Sequence, residues 1–213
     1  MVISNCSVLS IPGCGNISSV CRSFKHIGIS PSLLTPSSNS LSADLLILPG
    51  VGSFENAMQF LNSSELLPLI LNHIQSGRPT IGICLGFQIL CRSSSETSDR
   101  TVSSIPGLSF FDHIRLIDLT TLTMQMNVGP KPLYSSKKKS NSFSGLFYFM
   151  HRYGFVLPSD SSDLPAVVHS YSHHSSYRVA AICQKDSIWG IQFHPEKSGS
   201  SGLELLNQIT NSF

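Results

Sequence analysis

Apolar positions in the first half of the chain form short runs that alternate with segments of helical spacing. Three runs are typical of strands: 2–11, 43–48 and 79–84. The unbroken run from Leu45 to Leu48 indicates a strand that is covered on both faces. Each run leads through a glycine-containing turn into a predicted helix: 17–28, 54–77 with an interruption near 62–64, and 87–94. This β, α, β, α, β, α order predicts an α/β fold with a doubly wound, mostly parallel sheet and flanking helices.

The second half has shorter apolar runs with polar turns between them, which predicts a smaller antiparallel part. These runs are 109–119, 147–157, 166–173 and 177–193, and a last helix is predicted over 202–213. Lys137, Lys138 and Lys139 lie in a polar stretch that we interpret as a solvated hairpin tip. No internal repeat or linker divides the chain, so residues 1–213 are expected to form a single domain.

Composition adds limits on the kind of protein. The net charge of +2 is too mild to favour nucleic acid or an anionic membrane as a partner. The apolar runs are far shorter than the roughly 20 residues that a membrane span needs. Six cysteines without a CxxC pair are more typical of free thiols in a reducing compartment than of a disulfide framework. We therefore expect a cytoplasmic protein. Neither a cofactor nor a metal is expected.

The stretch "TIGICLGFQIL" (80–90) places Cys84 where a predicted strand turns into a predicted helix. A helix N-terminus can stabilise a thiolate, and Gly82 and Gly86 would let neighbouring backbone approach a strained turn closely. This is the arrangement of a nucleophile elbow, with cysteine in place of serine. From this stretch alone, a buried and inert thiol is the favoured interpretation.

His194 and Glu196 follow the apolar run "WGIQF", in the segment "FHPEKSG". A cysteine nucleophile needs a base, and the base needs a group that orients it. If this segment is extended, residues two apart point to the same side, so Glu196 could hold the His194 ring. The alternative is a surface ion pair. A zinc site made of His169, His173 and His174, in a serine-rich segment expected to be a loop, is a weaker alternative use of the histidines.

The glycine-rich turn in "LPGVGSF" could supply backbone N–H groups to a developing oxyanion. Gly50, Val51 and Gly52 are the candidates, with the N–H of Leu85 as the second donor. A turn of this kind could equally cradle a phosphate.

Together, "LPGVGSF", "GICLGFQIL" and "GIQFHPEKSG" make the chain resemble the class I (triad) glutamine amidotransferases, a family with a flavodoxin-like fold. Over nearly its whole length the chain most resembles the glutaminase subunit of imidazole glycerol phosphate synthase. The additional matching segments are "PGCGNISSV", "GVGSFENAMQFL", "FYFMHRYGF" and "FHPEKSGSSGLELL". Departures fall at Ile11 and Pro12, at Thr123 to Met126, and at Arg152, where a small residue is common.

The resemblance implies roles for individual residues. Cys84 would attack the carboxamide of L-glutamine, His194 would act as base and acid, and Glu196 would orient His194. Four further residues would surround the substrate: Gly52 and Leu85 in the oxyanion hole, and Gln88 and Glu96 at the α-amino and carboxylate ends. Lys197 and Asn127 would lie at the interface with a (β/α)8-barrel synthase subunit of the HisF type, which forms a heterodimer with the glutaminase.

The resemblance also implies the use of the ammonia, which would pass into the barrel partner for histidine biosynthesis. A paralogous subunit that supplies ammonia for amidine formation on surface sugars is an alternative, and so is a catalytically idle scaffold. A cysteine peptidase on a related fold is disfavoured. Such enzymes place a histidine directly after the nucleophile, where this chain has Leu85.

Overall fold

The computed structural model describes residues 2–13, 15–99, 101–135, 143, 145–158 and 168–213. Lys137, Lys138 and Lys139, interpreted above as a hairpin tip, lie outside these residues. The strands are β1 (Asn5–Leu9), β2 (Ser30–Leu34), β3 (Leu45–Leu48), β4 (Thr80–Ile83), β5 (Cys91–Ser94), β6 (Ile105–Pro106), β7 (Phe111–Asp118), β8 (Asn127–Pro132), β9 (Tyr134–Ser135), β10 (Leu146–His151), β11 (Tyr153–Gly154), β12 (Val168–His174), β13 (Tyr177–Lys185) and β14 (Ile188–Ile191). The helices are α1 (Ile17–His26), α2 (Phe54–Asn62), α3 (Leu66–Gln75), α4 (Leu85–Leu90), α5 (Thr120–Thr123) and α6 (Gly199–Thr210), with a 3-10 turn at Pro195–Lys197.

An eight-stranded sheet forms the centre of the fold, in the order β2-β1-β3-β4-β14-β13-β12-β9. The strands from β2 to β14 pair in parallel, and those from β14 to β9 pair antiparallel. The predicted α/β sheet, parallel in its larger part and antiparallel in the second half, is therefore confirmed. Two smaller sheets, β10-β8 and β11-β7-β5-β6, lie beside it.

Both faces of the central sheet are covered, as the run from Leu45 to Leu48 predicted. All four of these side chains are buried, and they alternate between two apolar clusters. Leu46 and Leu48 pack with residues of α2, α3 and α4, whereas Leu45 and Ile47 pack with residues of α1 and α6. The sheet is thus held between two helical layers, and burial of these apolar side chains is the main stabilising contribution.

Three local predictions were wrong. The helix expected over 87–94 ends at Leu90, because Cys91–Ser94 pairs with β7 and β6 as a strand. The edge strand β2 was not predicted, because it contains Pro31 and is largely exposed. Residues 168–173 of the run 166–173, predicted as a strand, are indeed part of β12, so the loop expected around His169, His173 and His174 was wrong. Among the described helices, none is long and apolar enough to cross a membrane.

Candidate active site

Cys84 is the single residue between strand β4 and helix α4, and its backbone is strained. It has φ 52° and ψ −105°, which a non-glycine residue rarely adopts and which costs on the order of 1–3 kcal/mol. Its N–H donates to the Ile191 carbonyl at 2.7 Å, and its carbonyl accepts from the Gln88 N–H at 3.0 Å. The turn is therefore fixed by β14 on one side and by the first turn of α4 on the other.

The two glycines around Cys84 make this turn possible, as predicted. A Cβ at Gly86 would lie 1.6 Å from the Leu48 carbonyl oxygen, so α4 packs directly on the backbone of β3. A Cβ at Gly82 would lie 2.7 Å from the Phe87 nitrogen. Neither position has room for any side chain, and the sharp entry into α4 depends on both.

A cavity of about 370 Å³ opens beside Cys84. It is bounded by the glycine turn, the start of α4, the segment that joins β10 to β11, and two further side chains. The lining residues are Val51, Gly52, Cys84, Leu85, Gln88, Glu96, Met126, Met150, His151, Arg152 and Tyr153. The structure therefore brings Cys84 together with five other residues that the sequence proposed as oxyanion donors or substrate contacts: Val51, Gly52, Leu85, Gln88 and Glu96.

His194 and Glu196 form a buried pair. The distance from His194 Nδ1 to Glu196 Oε1 is 2.8 Å, and the two side chains are only 1% and 2% exposed. The extended conformation assumed from the sequence was wrong beyond His194, because Pro195–Lys197 is a 3-10 turn. That turn curls the Glu196 side chain back to the imidazole, so the pair is internal and not the surface ion pair considered above.

Asn16 also contacts this pair and was missed from the sequence. Its Nδ2 donates a hydrogen bond to Oε1 of Glu196, the same oxygen that His194 contacts. Asn16 precedes α1, has φ 74°, and makes no side-chain cap to that helix. An asparagine at this position is typical of a helix cap. Its hydrogen bond to Glu196, 180 residues along the chain, could therefore not be predicted from the local pattern.

The environment of His194 favours its charged form. Burial alone would lower its pKa, but interaction with Cys84 and Glu196 outweighs burial and raises the pKa to about 10. Nε2 of His194 is buried and makes no well-aligned hydrogen bond within the described part of the chain. Cys84 thus contributes to the raised pKa of His194 without a hydrogen bond of good geometry to Nε2. Free active sites often have such loose contacts.

The glycine turn does not present a free oxyanion site in this structure. The Leu85 N–H donates to the Gly50 carbonyl oxygen at 3.4 Å, so one expected donor is already occupied. A Cβ at Gly50 would lie 3.3 Å from the Leu85 Cβ, which shows how closely the turn and α4 approach. Gly52, the other expected donor, has φ 131° and lines the cavity.

Gln88 and Glu96 line the cavity from α4 and from the segment after β5. Gln88 Nε2 donates to the Tyr153 carbonyl at 3.1 Å, which directs the side chain along the cavity wall. Glu96 Oε2 accepts from the Phe54 N–H at 3.1 Å, at the first residue of α2. Burial raises the pKa of Glu96, and this effect is partly offset by the Phe54 N–H and by the charge of Arg152.

A buried hydrogen-bonded chain runs along the wall of the cavity. Asn127 Nδ2 contacts Nε2 of His151 at 2.9 Å, and Nδ1 of His151 contacts the Tyr153 carbonyl oxygen at 2.8 Å. Since the amide N–H donates, Nε2 is the acceptor and Nδ1 carries the proton. Burial lowers the pKa of His151 to about 3, so the ring is neutral. The chain ends on the carbonyl that also accepts from Gln88.

The two residues expected at the partner interface differ in exposure. Lys197 is exposed, with Nζ 5.8 Å from the centroid of the Tyr148 ring. Asn127 is fully buried, so it lies beneath the surface and cannot itself touch a partner in this conformation. The three histidines of β12 do not form a metal site, and no other cluster suited to a metal ion occurs among the described residues.

Comparison with known proteins identifies the family of the chain. A family model for class-I glutamine amidotransferases matches residues 12–210, nearly the whole chain. The chain belongs to this family. The match includes Cys84, His194 and Glu196.

Within this family, the chain is similar in sequence to HisH subunits and in fold to a solved structure. It is 36% identical over 207 residues to the imidazole glycerol phosphate synthase subunit HisH of Gloeothece citriformis, covering 92% of this chain and 91% of that protein. It is 37% identical over 206 residues to the HisH subunit of Trichodesmium erythraeum, covering 92% and 90%. The solved structure of PurLQS from Thermotoga maritima shares the fold with a TM-score of 0.71, at 16% identity over 99% of both chains.

Proposed function

We propose that this amidotransferase hydrolyses L-glutamine to glutamate and ammonia as the glutaminase subunit of an imidazole glycerol phosphate synthase. The observation that carries the proposal is that a strained Cys84 lines a cavity in the same structure that holds His194 and Glu196 as a buried hydrogen-bonded pair. A thiol, an imidazole and a carboxylate in this relation are the groups that nucleophilic acyl transfer needs. No metal or cofactor is required.

The reaction follows from these three groups. His194 takes the thiol proton, and Cys84 Sγ attacks the side-chain carbonyl carbon of glutamine. The charged His194, stabilised by Glu196, then protonates the amide nitrogen, and ammonia leaves as the tetrahedral intermediate collapses to a thioester. Water, deprotonated by His194, attacks the thioester carbonyl carbon. The C–S bond then breaks, glutamate leaves, and His194 returns the proton to the Cys84 sulfur. Because the pKa of His194 is raised to about 10, the imidazolium form needed for the leaving step is the favoured one at neutral pH.

The oxyanion hole would form by rotation of one peptide. In the present conformation the Gly50 carbonyl points at the Leu85 N–H. Rotating the Gly50–Val51 peptide would remove that carbonyl and turn the Val51 N–H toward the same place. We therefore propose Val51 and Leu85 as the pair of donors, in place of the Gly52 and Leu85 pair expected from the sequence. Gly50 lowers the cost of this rotation because it lacks a side chain.

The ammonia would pass to a (β/α)8-barrel synthase subunit in a cytoplasmic heterodimer, for histidine biosynthesis. The HisH names of the similar proteins support this pathway. An apolar surface near the cavity supports a partner on that side: Leu122, Met124, Met126 and Val128 are exposed, and Met126 also lines the cavity. A partner seated there would separate the ammonia from bulk solvent.

The test is glutamine hydrolysis by wild-type protein and by Cys84→Ala, each alone and with the barrel subunit. We expect weak activity of the isolated chain, because the Leu85 N–H is occupied, and strong stimulation by the barrel subunit loaded with its own substrate. Cys84→Ala should lose activity by roughly 10³-fold or more under all conditions. Equal rates with and without the partner would contradict the peptide rotation, and an active Cys84→Ala protein would contradict the nucleophile.

A further inference from the structure

Arg152 lies between β10 and β11 and lines the same cavity as Cys84. Its guanidinium is held along one edge by Asp118, whose Oδ2 accepts from Nε at 3.0 Å and from Nη2 at 2.6 Å. Asp118 is in turn fixed through Oδ1, which accepts from the N–H and the hydroxyl of Thr120. Arg152 therefore enters the cavity wall as an anchored group with a defined orientation.

The anchoring leaves part of the guanidinium available. Among the described residues, none accepts a hydrogen bond from Nη1 of Arg152, and the side chain is 51% exposed. The guanidinium carbon lies 5.5 Å from the centroid of the Tyr153 ring, which also lines the cavity. A planar cation with one free edge is suited to bind a carboxylate through two parallel hydrogen bonds.

Arg152 and Glu96 are the two charged residues of the cavity lining, since His151 is neutral. Their charges influence each other: the charge of Arg152 acts to lower the pKa of Glu96, and the charge of Glu96 acts to raise the pKa of Arg152. The cavity thus presents one anionic and one cationic group beside the Cys84 nucleophile. A free α-amino acid carries the complementary pair of charges, an α-ammonium and an α-carboxylate, on neighbouring atoms.

We propose that Arg152 binds the α-carboxylate of the substrate and so restricts the site to free L-glutamine, as opposed to glutamine whose α-carboxylate is blocked. The inference rests on the glutaminase function proposed above and assigns the residue that sets its specificity. Glu96 would take the α-ammonium, and Asp118 would position Arg152 without touching the substrate. The guanidinium is half exposed, so its ion pair with Asp118 alone would contribute little to stability and gives little reason for an arginine at this cavity wall.

The experiment measures the rate at which Cys84 is alkylated, by mass spectrometry of the intact protein. Two reagents are compared: 6-diazo-5-oxo-L-norleucine, which carries a free α-carboxylate, and its α-methyl ester, which does not. In Arg152→Gln we expect labelling by the free acid to fall roughly tenfold to hundredfold, the worth of a charge-assisted hydrogen bond, while labelling by the ester stays unchanged. Arg152→Lys keeps the charge but lacks the planar guanidinium with its parallel donors, so labelling by the free acid should fall by an intermediate factor.

The matched control is Arg115→Gln, an exposed arginine on β7 that does not line the cavity. It should label like wild type with both reagents. Equal labelling of wild type and Arg152→Gln by the free acid, or an equal loss with both reagents, would overturn the assignment of Arg152. If wild type is neither labelled at Cys84 nor able to hydrolyse glutamine, the proposed function itself fails, which is a distinguishable result.

Discussion

The buried carboxylate of Glu196 depends on two side chains that arrive from distant parts of the chain. His194 and Asn16 both contact its Oε1, and its Oε2 has no partner within the described part of the chain. An anionic group with so few hydrogen bonds is sensitive to the loss of any one of them. Asn16 is therefore expected to position Glu196, and through it the imidazole that moves the protons.

Replacement of Asn16 by glycine tests this positioning role. Glycine accepts the positive φ of 74° at this position, so the change removes the amide without adding backbone strain. We expect kcat for glutamine hydrolysis to fall by roughly tenfold to hundredfold with little change in KM, because the substrate contacts remain. The control is Asn207→Gly on the exposed side of α6. A rise in KM with unchanged kcat would contradict a positioning role.

The elements around Cys84 are packed tightly against the turn that carries it. Helix α4 has only six residues. It still holds Leu85, Phe87 and Gln88 in fixed positions, because Gly86 lets the helix pack directly on the backbone of β3. Phe87 in turn fills the space where Gly190 lacks a side chain. The nucleophile is thus positioned by contacts between elements and not by the intrinsic stability of a helix this short.

Gly86→Ala should therefore damage both stability and the site. Its Cβ would fall 1.6 Å from the Leu48 carbonyl oxygen, so α4 must move away from β3. We expect a loss of about 3 kcal/mol or more in the free energy of unfolding, measured by denaturant titration. Asn72→Ala on the exposed face of α3 is the comparison and should change stability by less than about 0.5 kcal/mol. A Gly86→Ala protein as stable as wild type would contradict the close packing.

For the molecule as a whole, the sequence predicted the order of strands and helices better than their contacts. The run from Leu45 to Leu48 was sufficient to predict a buried parallel strand, because a strand that is covered on both faces has apolar residues at every position. Strand β2 was missed because its exposed edge position and Pro31 remove that pattern. The helix expected through Ser94 was shortened because pairing with β7 outweighed local propensity.

The site was predictable only where its residues fall in short motifs. Cys84, His194 and Glu196 stand in segments whose chemistry can be read locally, although the 3-10 turn that joins the last two could not. Asn16 and the pair Asn127–His151 make contacts with residues far along the chain, and Arg152, whose role is proposed above, reaches the site only through the shared cavity. Their roles depend on how the sheet brings distant turns together, which no local pattern specifies.

The buried neutral His151 should make the free energy of unfolding of the whole protein depend on pH. Its pKa is lowered to about 3, while in the unfolded chain it is near 6.5, so protons bind preferentially to the unfolded state between these values. The contribution of neutral His151 to the free energy of unfolding is therefore fully present above about pH 6.5 and is lost as the pH falls toward 3. Relative to His151→Gln, wild type should lose up to about 1.4 kcal/mol per pH unit in this window. A difference in unfolding free energy that is constant from pH 7 to 4.5 would contradict a neutral buried ring.

The central claim is that Cys84 carries the glutamyl group during the reaction. The most direct measurement is the intact mass of the protein, with its barrel partner, after acid quenching during turnover of L-glutamine. We predict an added mass of one glutamyl group that maps to Cys84 and is absent in Cys84→Ala. Steady release of ammonia with no adduct on Cys84, at a rate that Cys84→Ala retains, would contradict the account.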